Sequence, residues 1–316
     1  MTGVMAGVAT KAAMELATEV TPSGSAAHVQ YLLHLADNAL VLGQRNAEWC
    51  GHGPVLEEDI AMANISVDLV GQARMLYQHA AELDPQGILL ARRRGGIHSA
   101  ATPVTEDTLA YFRDAPEFRN YTLLELPHSV TGCGEGDGTR DYAVTIVRNF
   151  LYSALMVLRW DALRQSNDAQ LAAIAERSLK ETRYHLRHSR DWLVRLGDGT
   201  PESNSRTQAA WDHLLPYAQE FWAESAIEIE VSEQGIDLAA TSLRNDWQAL
   251  VNHAAQEATL TLPVASGALV AALPGADTVV KARALPQGKH GIHSAHLAPL
   301  LAEMQSLARQ HPGATW

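Results

Sequence analysis

The sequence predicts an all-α protein, and three observations carry that class. Apolar residues recur at three- and four-residue steps over long windows, alternating β-branched runs are short, and Gly, Pro and capping residues punctuate the windows. With 316 residues, 47% hydrophobic and 19% charged, the chain has enough apolar surface for a substantial interior and too little charge for disorder. One core is expected over residues 26–316. A flexible extension is expected over residues 1–25, which are small and polar and lack a continuous hydrophobic stretch.

A first helix is expected over about Ala26 to Cys50, carrying Tyr31, His34, Leu35, Asn38 and Leu42 along one side. Gly51-His52-Gly53-Pro54 ends it, because two glycines and a proline cannot comfortably continue a helix. The second starts after Pro54, with Glu57, Glu58 and Asp59 at the positive end of its dipole, and stops at Asp84-Pro85. Its buried stripe reads Met62, Ile65, Leu69, Leu76 and Leu83. A long connection follows, with a short amphipathic segment from Glu106 to Arg113 and a Gly-rich run from Thr131 to Gly138. It is longer than a hairpin needs, so it is expected to cover a bundle end or meet a partner.

The third helix, about Arg140 to Gln165, has two apolar stripes: Val144, Val147, Leu151, Leu155 and Leu158, and Ile146, Phe150, Ala154 and Val157. Apolar on two sides, it should be central. The fourth, about Asp168 to Leu196, opens on a capping aspartate and ends before Gly197-Asp198-Gly199. A fifth over roughly Ser205 to Val231, kinked at Pro216, a sixth over Leu238 to Leu262 and a last helix near His293 to Gln310 complete the chain. Two helix pairs separated by a long crossover are the arrangement of ferritin-like bundles. The expectation is therefore a ferritin-like four-helix core with additional C-terminal helices, other antiparallel bundles staying open at this point.

A formal net charge of −12 and a pI near 5.6 argue against a nucleic-acid or anionic-membrane binder. Arg92, Arg93 and Arg94 form one local basic run, read as a solvated loop ahead of an anion or partner contact. Cys50 and Cys133 lie far apart without Cys-x-x-Cys spacing, which suggests neither a disulfide framework nor a thiolate metal site and fits the cytoplasm. No apolar run approaches the roughly 18 to 20 residues that span a bilayer.

A ferritin-like bundle doing di-iron chemistry needs a carboxylate on each of two helices and Glu-x-x-His on each of the other two. The first helix offers Asp37, with Glu48 almost at its end. The second reads Asp68-Leu69-Val70-Gly71-Gln72, one carboxylate without Glu or His at the required places, and His79 lies too far along. The third has acids only at its ends, Asp141 and Asp161, and Ser153 near its middle. In the fourth, Thr182 stands three before His185 and Glu181 four before it. Glu181 and His185 read as a hydrogen-bonded polar pair within a bundle. For Asp37 and Asp68, Arg or Lys neighbours are expected in place of metal, because unpaired buried acids are costly. His290, His293 and His296 recur near a Gly-rich turn, but Lys289 adjoins them and no acid joins them before Glu303. No catalytic, cofactor-binding or metal-binding residue is expected in this chain.

Four stretches carry a resemblance: Leu35 to His52 (LADNALVLGQRNAEWCGH), Asp59 to Arg74 (DIAMANISVDLVGQAR), Leu179 to Arg187 (LKETRYHLR) and Gly291 to Gln305 (GIHSAHLAPLLAEMQ). The chain resembles the C-type subunits of the bacterial ring 1,2-phenylacetyl-CoA epoxidases from about residue 28 to Trp316, departing in the N-terminal extension and around Arg92 to Ala101. The resemblance implies a structural subunit of a multicomponent monooxygenase. A homologous A-type chain would hold the di-iron site, joined by a small B-type chain and by a reductase that carries FAD and an iron-sulfur cluster and draws on NADPH. It implies a hetero-oligomer without nucleic acid or membrane. Where the A-type pattern calls for Glu-x-x-His, this sequence has Leu69 with Gln72 and Thr182 with His185, and the third-helix acid falls near Ser153. The competing expectation is a di-iron carboxylate protein with an atypical ligand set and its own activity.

Overall fold

The computed structural model describes residues 25–91, 104–130, 140–262, 286–312 and 314. The proposed N-terminal extension up to residue 24, Arg92 to Arg94, Cys133 and the Gly-rich run to Gly138 lie outside the described residues. Among those described there is no sheet, only an isolated bridge between Gln287 and Ile292. The helices are α1 Ala26–Ala47, α2 Leu56–Leu83, α3 Ile88–Ala91, α4 Glu106–Tyr111, α5 Thr122–Glu125, α6 Tyr142–Leu163, α7 Ala169–Gly197, α8 Pro201–Leu214, α9 Ala226–Glu233, α10 Arg244–Glu257 and α11 Leu297–Gln310.

Local chemistry sets the long helices. Ser25 caps α1 by accepting the His28 N–H at 3.1 Å, and Asp168 caps α7 by accepting from Gln170 and Leu171. The α1–α2 corner closes because Asp59 folds back onto the Gly51 N–H at 2.9 Å. A Cβ at Gly53 would stand 2.7 Å from the Asp59 backbone, so this approach requires glycine.

Cross-helix contacts fix the directions. Tyr77 meets Asp37, so α2 runs antiparallel to α1. Asn46 meets Asn149 and Tyr31 meets Arg159, so α6 runs antiparallel to α1. Gln72 meets Glu181 and Asp68 meets His185, so α7 runs antiparallel to α2. Hence α6 runs parallel to α2, and the chain must first travel back along a helix of about 40 Å. That return is the physical reason for the length of the connection over 84–141. As its two apolar stripes demand, α6 is buried along most of its length, only Val157, Leu158, Asp161 and Ala162 and its first residue being more open.

Three helical expectations need correction. The fifth helix is not one kinked rod: α8 begins earlier, at a Thr200 cap with Pro201 in its first turn, and gives way to a 3-10 segment, Leu215–Trp222. Pro216 lacks an amide hydrogen and its ring blocks the preceding turn. The chain then breaks before Ser225, which starts α9 through a capping box with Glu228. The sixth helix starts at Arg244, after the 3-10 turn Ala240–Leu243, because Asp237 turns inward to Arg159 and binds the Leu238 N–H. It ends at Glu257, ahead of Thr259 with φ 52°. The last helix starts at Leu297, because His293 and Ser294 are drawn aside to Glu125.

Residues 286–296 pass over α5 and the segment before α9. The buried Glu125 carboxylate takes Nδ1 of His293 at 2.8 Å and the Ser294 N–H, while Glu220 takes the N–H of Thr122 at 2.8 Å and of Lys289 at 3.1 Å. Lys289 Nζ pairs with Glu228 at 2.7 Å. Gly288 packs so closely that a Cβ would stand 2.2 Å from the Asn120 carbonyl oxygen.

Candidate functional site

Asp37 sits midway along α1, completely buried. Its carboxylate accepts from both terminal nitrogens of Arg113, from the Tyr77 hydroxyl at 2.6 Å and from the Arg119 N–H at 2.7 Å. The expected cation is therefore present, and it comes from the segment just after α4. Burial works against the Arg113 charge, but Asp37 and Tyr77 outweigh it and raise the guanidinium pKa above its ordinary value. Burial and then Asp37 push the Tyr77 phenol well above its usual range. Phe118 stacks against the same guanidinium, 4.3 Å from ring centroid to Cζ. With four donors on two oxygens, Asp37 is spent within the protein.

Across the α2–α7 contact, Gln72 donates to Glu181 at 3.0 Å and His185 Nε2 meets Asp68 at 3.0 Å. Glu181 and His185 thus pair with α2, and the pairing expected within α7 is corrected. The partner of Asp68 is His185, not an Arg or Lys; Glu181 also takes Arg177 at 3.4 Å. The next turns repeat the pattern, His188 and the Tyr142 hydroxyl both meeting Glu58. Leu69, Gln72, Ser153 and Thr182, at the remaining ligand places, are all buried, and none is a carboxylate or imidazole. On the α1–α6 side Asn46 and Asn149 exchange reciprocal amide hydrogen bonds at 2.8 and 2.9 Å. Two irons need hard carboxylates to bridge and neutralise them and imidazoles to fix them; this donor set does not fit that pair.

His290, His293 and His296 do not converge: His293 turns to Glu125 and to the Phe118 carbonyl, and the other two are exposed. Sequence reading missed two things. Arg113 as the partner of Asp37 carries no local signal, being 76 residues away. His28, His79 and Asp168 meet although Asp168 stands 140 and 89 residues from the two histidines.

Along α2 a row of apolar side chains faces outward: Leu56 and Val67 are 70% exposed, Ile60 54% and Val70 43%. Tyr184 of α7 is also exposed. Exposed apolar rows are a common feature of surfaces that dock other molecules. No helix among the described residues is long and apolar enough to cross a membrane.

The chain matches the family model described as phenylacetic acid catabolic protein over residues 10–316, and it belongs to that family. Within it, the chain is 40% identical over 286 residues to the C subunit of 1,2-phenylacetyl-CoA epoxidase from Escherichia coli (strain K12). The aligned stretch covers 90% of this chain and 98% of that relative.

Proposed function

We propose that this chain is the structural, non-catalytic C subunit of a cytoplasmic phenylacetyl-CoA epoxidase in phenylacetate catabolism. In this reading it forms one ferritin-like domain from residue 26 onward. It supports a homologous di-iron chain of the A type, which epoxidises the aromatic ring of phenylacetyl-CoA. A small B-type chain and a reductase with FAD and an iron-sulfur cluster, fed by NADPH, complete the complex.

The observation that carries the non-catalytic reading is the state of Asp37. Its oxygens are saturated by Arg113, Tyr77 and a backbone N–H, while Leu69, Gln72, Ser153 and Thr182 stand at the remaining ligand places. The crossover that makes α6 run parallel to α2 supports the ferritin-like arrangement. The exposed row on α2 supports a chain that is one part of an assembly.

The test measures iron content and epoxidase activity of the di-iron subunit with and without this protein. Activity that depends on this chain, with iron residing in the other subunit, is the expected result. About two tightly bound irons per chain in this protein purified alone would overturn the reading.

A further inference from the structure

Three side chains outside the contacts of Asp37, Asp68 and Glu181 converge where α1 and α7 begin and α2 ends. His28 lies in the first turn of α1, His79 near the end of α2, and Asp168 caps α7. One carboxylate oxygen, Asp168 Oδ2, meets Nε2 of His28 at 2.8 Å and Nε2 of His79 at 2.6 Å. The other oxygen accepts the N–H groups of Gln170 at 3.0 Å and Leu171 at 3.1 Å, which anchors the carboxylate. The three donor atoms lie within 4.8 Å of one another. Their side chains are only 11%, 7% and 9% exposed. The two hydrogen bonds, and then the Leu171 N–H, hold the Asp168 carboxyl well below the usual range against the opposing effect of burial, so it is an anion.

As a group of two neutral imidazoles and one carboxylate, this arrangement leaves one acceptor unmatched. Both neutral imidazoles must carry their proton on Nε2 to donate to Asp168. The lone pair of His79 then falls on Nδ1, which is buried without a hydrogen bond. The Glu82 carboxylate stands 3.9 Å from Nδ1, so an acceptor neighbours an acceptor. A cation on Nε2 reverses this: the lone pair goes to the metal, the proton moves to Nδ1, and Nδ1–H then has the Glu82 carboxylate 3.9 Å away as its neighbour. A carboxylate behind the histidine is the arrangement that orients metal-bound imidazoles.

We propose that His28, His79 and Asp168 form a binding site for one divalent transition-metal ion of the zinc type, with a fourth position left for water. Two imidazoles and one carboxylate are donors that such ions accept. In a tetrahedral zinc site with bonds of about 2.1 Å the donors stand about 3.4 Å apart, so the two short contacts open by about 0.6 to 0.8 Å on binding. Torsions of the two histidine side chains supply that movement. Because the ligands come from three helices, the ion ties the start of α1, the end of α2 and the start of α7 together.

The site is independent of the assignment as a structural subunit, since it lies apart from Asp37, Asp68, Glu181 and His185 and takes one ion, not an iron pair. The full chain, stripped with a chelator, is titrated with zinc chloride by calorimetry and with cobalt(II) by visible absorption. One equivalent per chain, a rise in Tm with zinc and the d–d absorption of four-coordinate cobalt are expected. Asp168→Asn keeps a side chain able to cap α7 and should lose the cobalt spectrum and at least tenfold in zinc affinity. His79→Gln should do the same. His253→Gln, at an exposed histidine of α10, should change neither. Absence of saturable zinc binding by the folded wild-type chain would overturn the proposal, and so would equal zinc affinity and an equal cobalt spectrum in the folded Asp168 and His79 variants.

Discussion

Replacing Arg113 by Met tests whether Asp37 is held as a buried ion pair. The guanidinium side chain is 7% exposed and Asp37 is 0% exposed. After the change Asp37 keeps only the Tyr77 hydroxyl and the Arg119 N–H as donors. Removing one partner of a buried pair costs roughly 3–5 kcal/mol, because it leaves an uncompensated charge. With an unfolding entropy of about 2.1 cal/mol/K per residue over 316 residues, or about 0.66 kcal/mol/K, a loss of about 4 kcal/mol lowers Tm by about 6 °C. The assay is urea denaturation followed by circular dichroism, repeated for Asp37→Leu and for the double variant. Replacing both partners by apolar groups removes the stranded charge, so the double variant should recover a large part of the loss, with a coupling of about 2 kcal/mol or more. An Arg113→Met loss below about 1 kcal/mol together with additive effects would refute the reasoning.

Further outcomes are expected. Burial lowers His34 and His128 to about 4 from 6.5, so the unfolded chain takes up their protons first as pH falls. Stability should hold above pH 6.5 and decline toward 4, by at most about 3 kcal/mol per histidine; urea titrations at stepped pH on His34→Gln and His128→Gln should show a flatter decline. Glu228 acts lower: burial raises it, but Lys289 and His34 outweigh burial and hold it at about 2, so its contribution is present above 4.5 and lost as pH falls toward 2. Gly197→Ala places a Cβ 2.2 Å from the Ala258 carbonyl oxygen and should cost about 2 kcal/mol or more, whereas Gly71→Ala, with nothing within 4 Å, should stabilise the isolated chain by about 0.5–1 kcal/mol. Finally, His185→Ala, which strands Asp68 at the α2–α7 contact, should weaken co-purification with the proposed di-iron subunit more than it lowers iron content; equal loss of iron and activity with the complex intact would count against it.

The long helices were legible in sequence because their determinants are local. Apolar periodicity, the Asp168 cap and the Gly51 to Pro54 break placed α1, α2, α6 and α7 within about three residues of their bounds. The starts of the later helices were not legible, because distant partners decide where they begin. Asp237 is pulled to Arg159, 78 residues away, and His293 to Glu125, 168 residues away, and each pull unwinds what periodicity alone would continue. The site shows the same division. The lack of a carboxylate at Leu69, Ser153 and Thr182 could be read directly. That Arg113 neutralises Asp37, and that Asp168 gathers two histidines, depends on where helices from distant parts of the chain come to rest.

The strap over 286–296 has a consequence for how the protein is made. Glu125 and Glu220 are made before His293, Ser294 and the Lys289 N–H that bind them. A nascent chain can pair its first helices on the ribosome, with Asn120 donating to Glu125 and Thr122 to Glu220, but the remaining donors are missing until this segment is released. Premature termination upstream of residue 289 would therefore leave both buried acids short of donors.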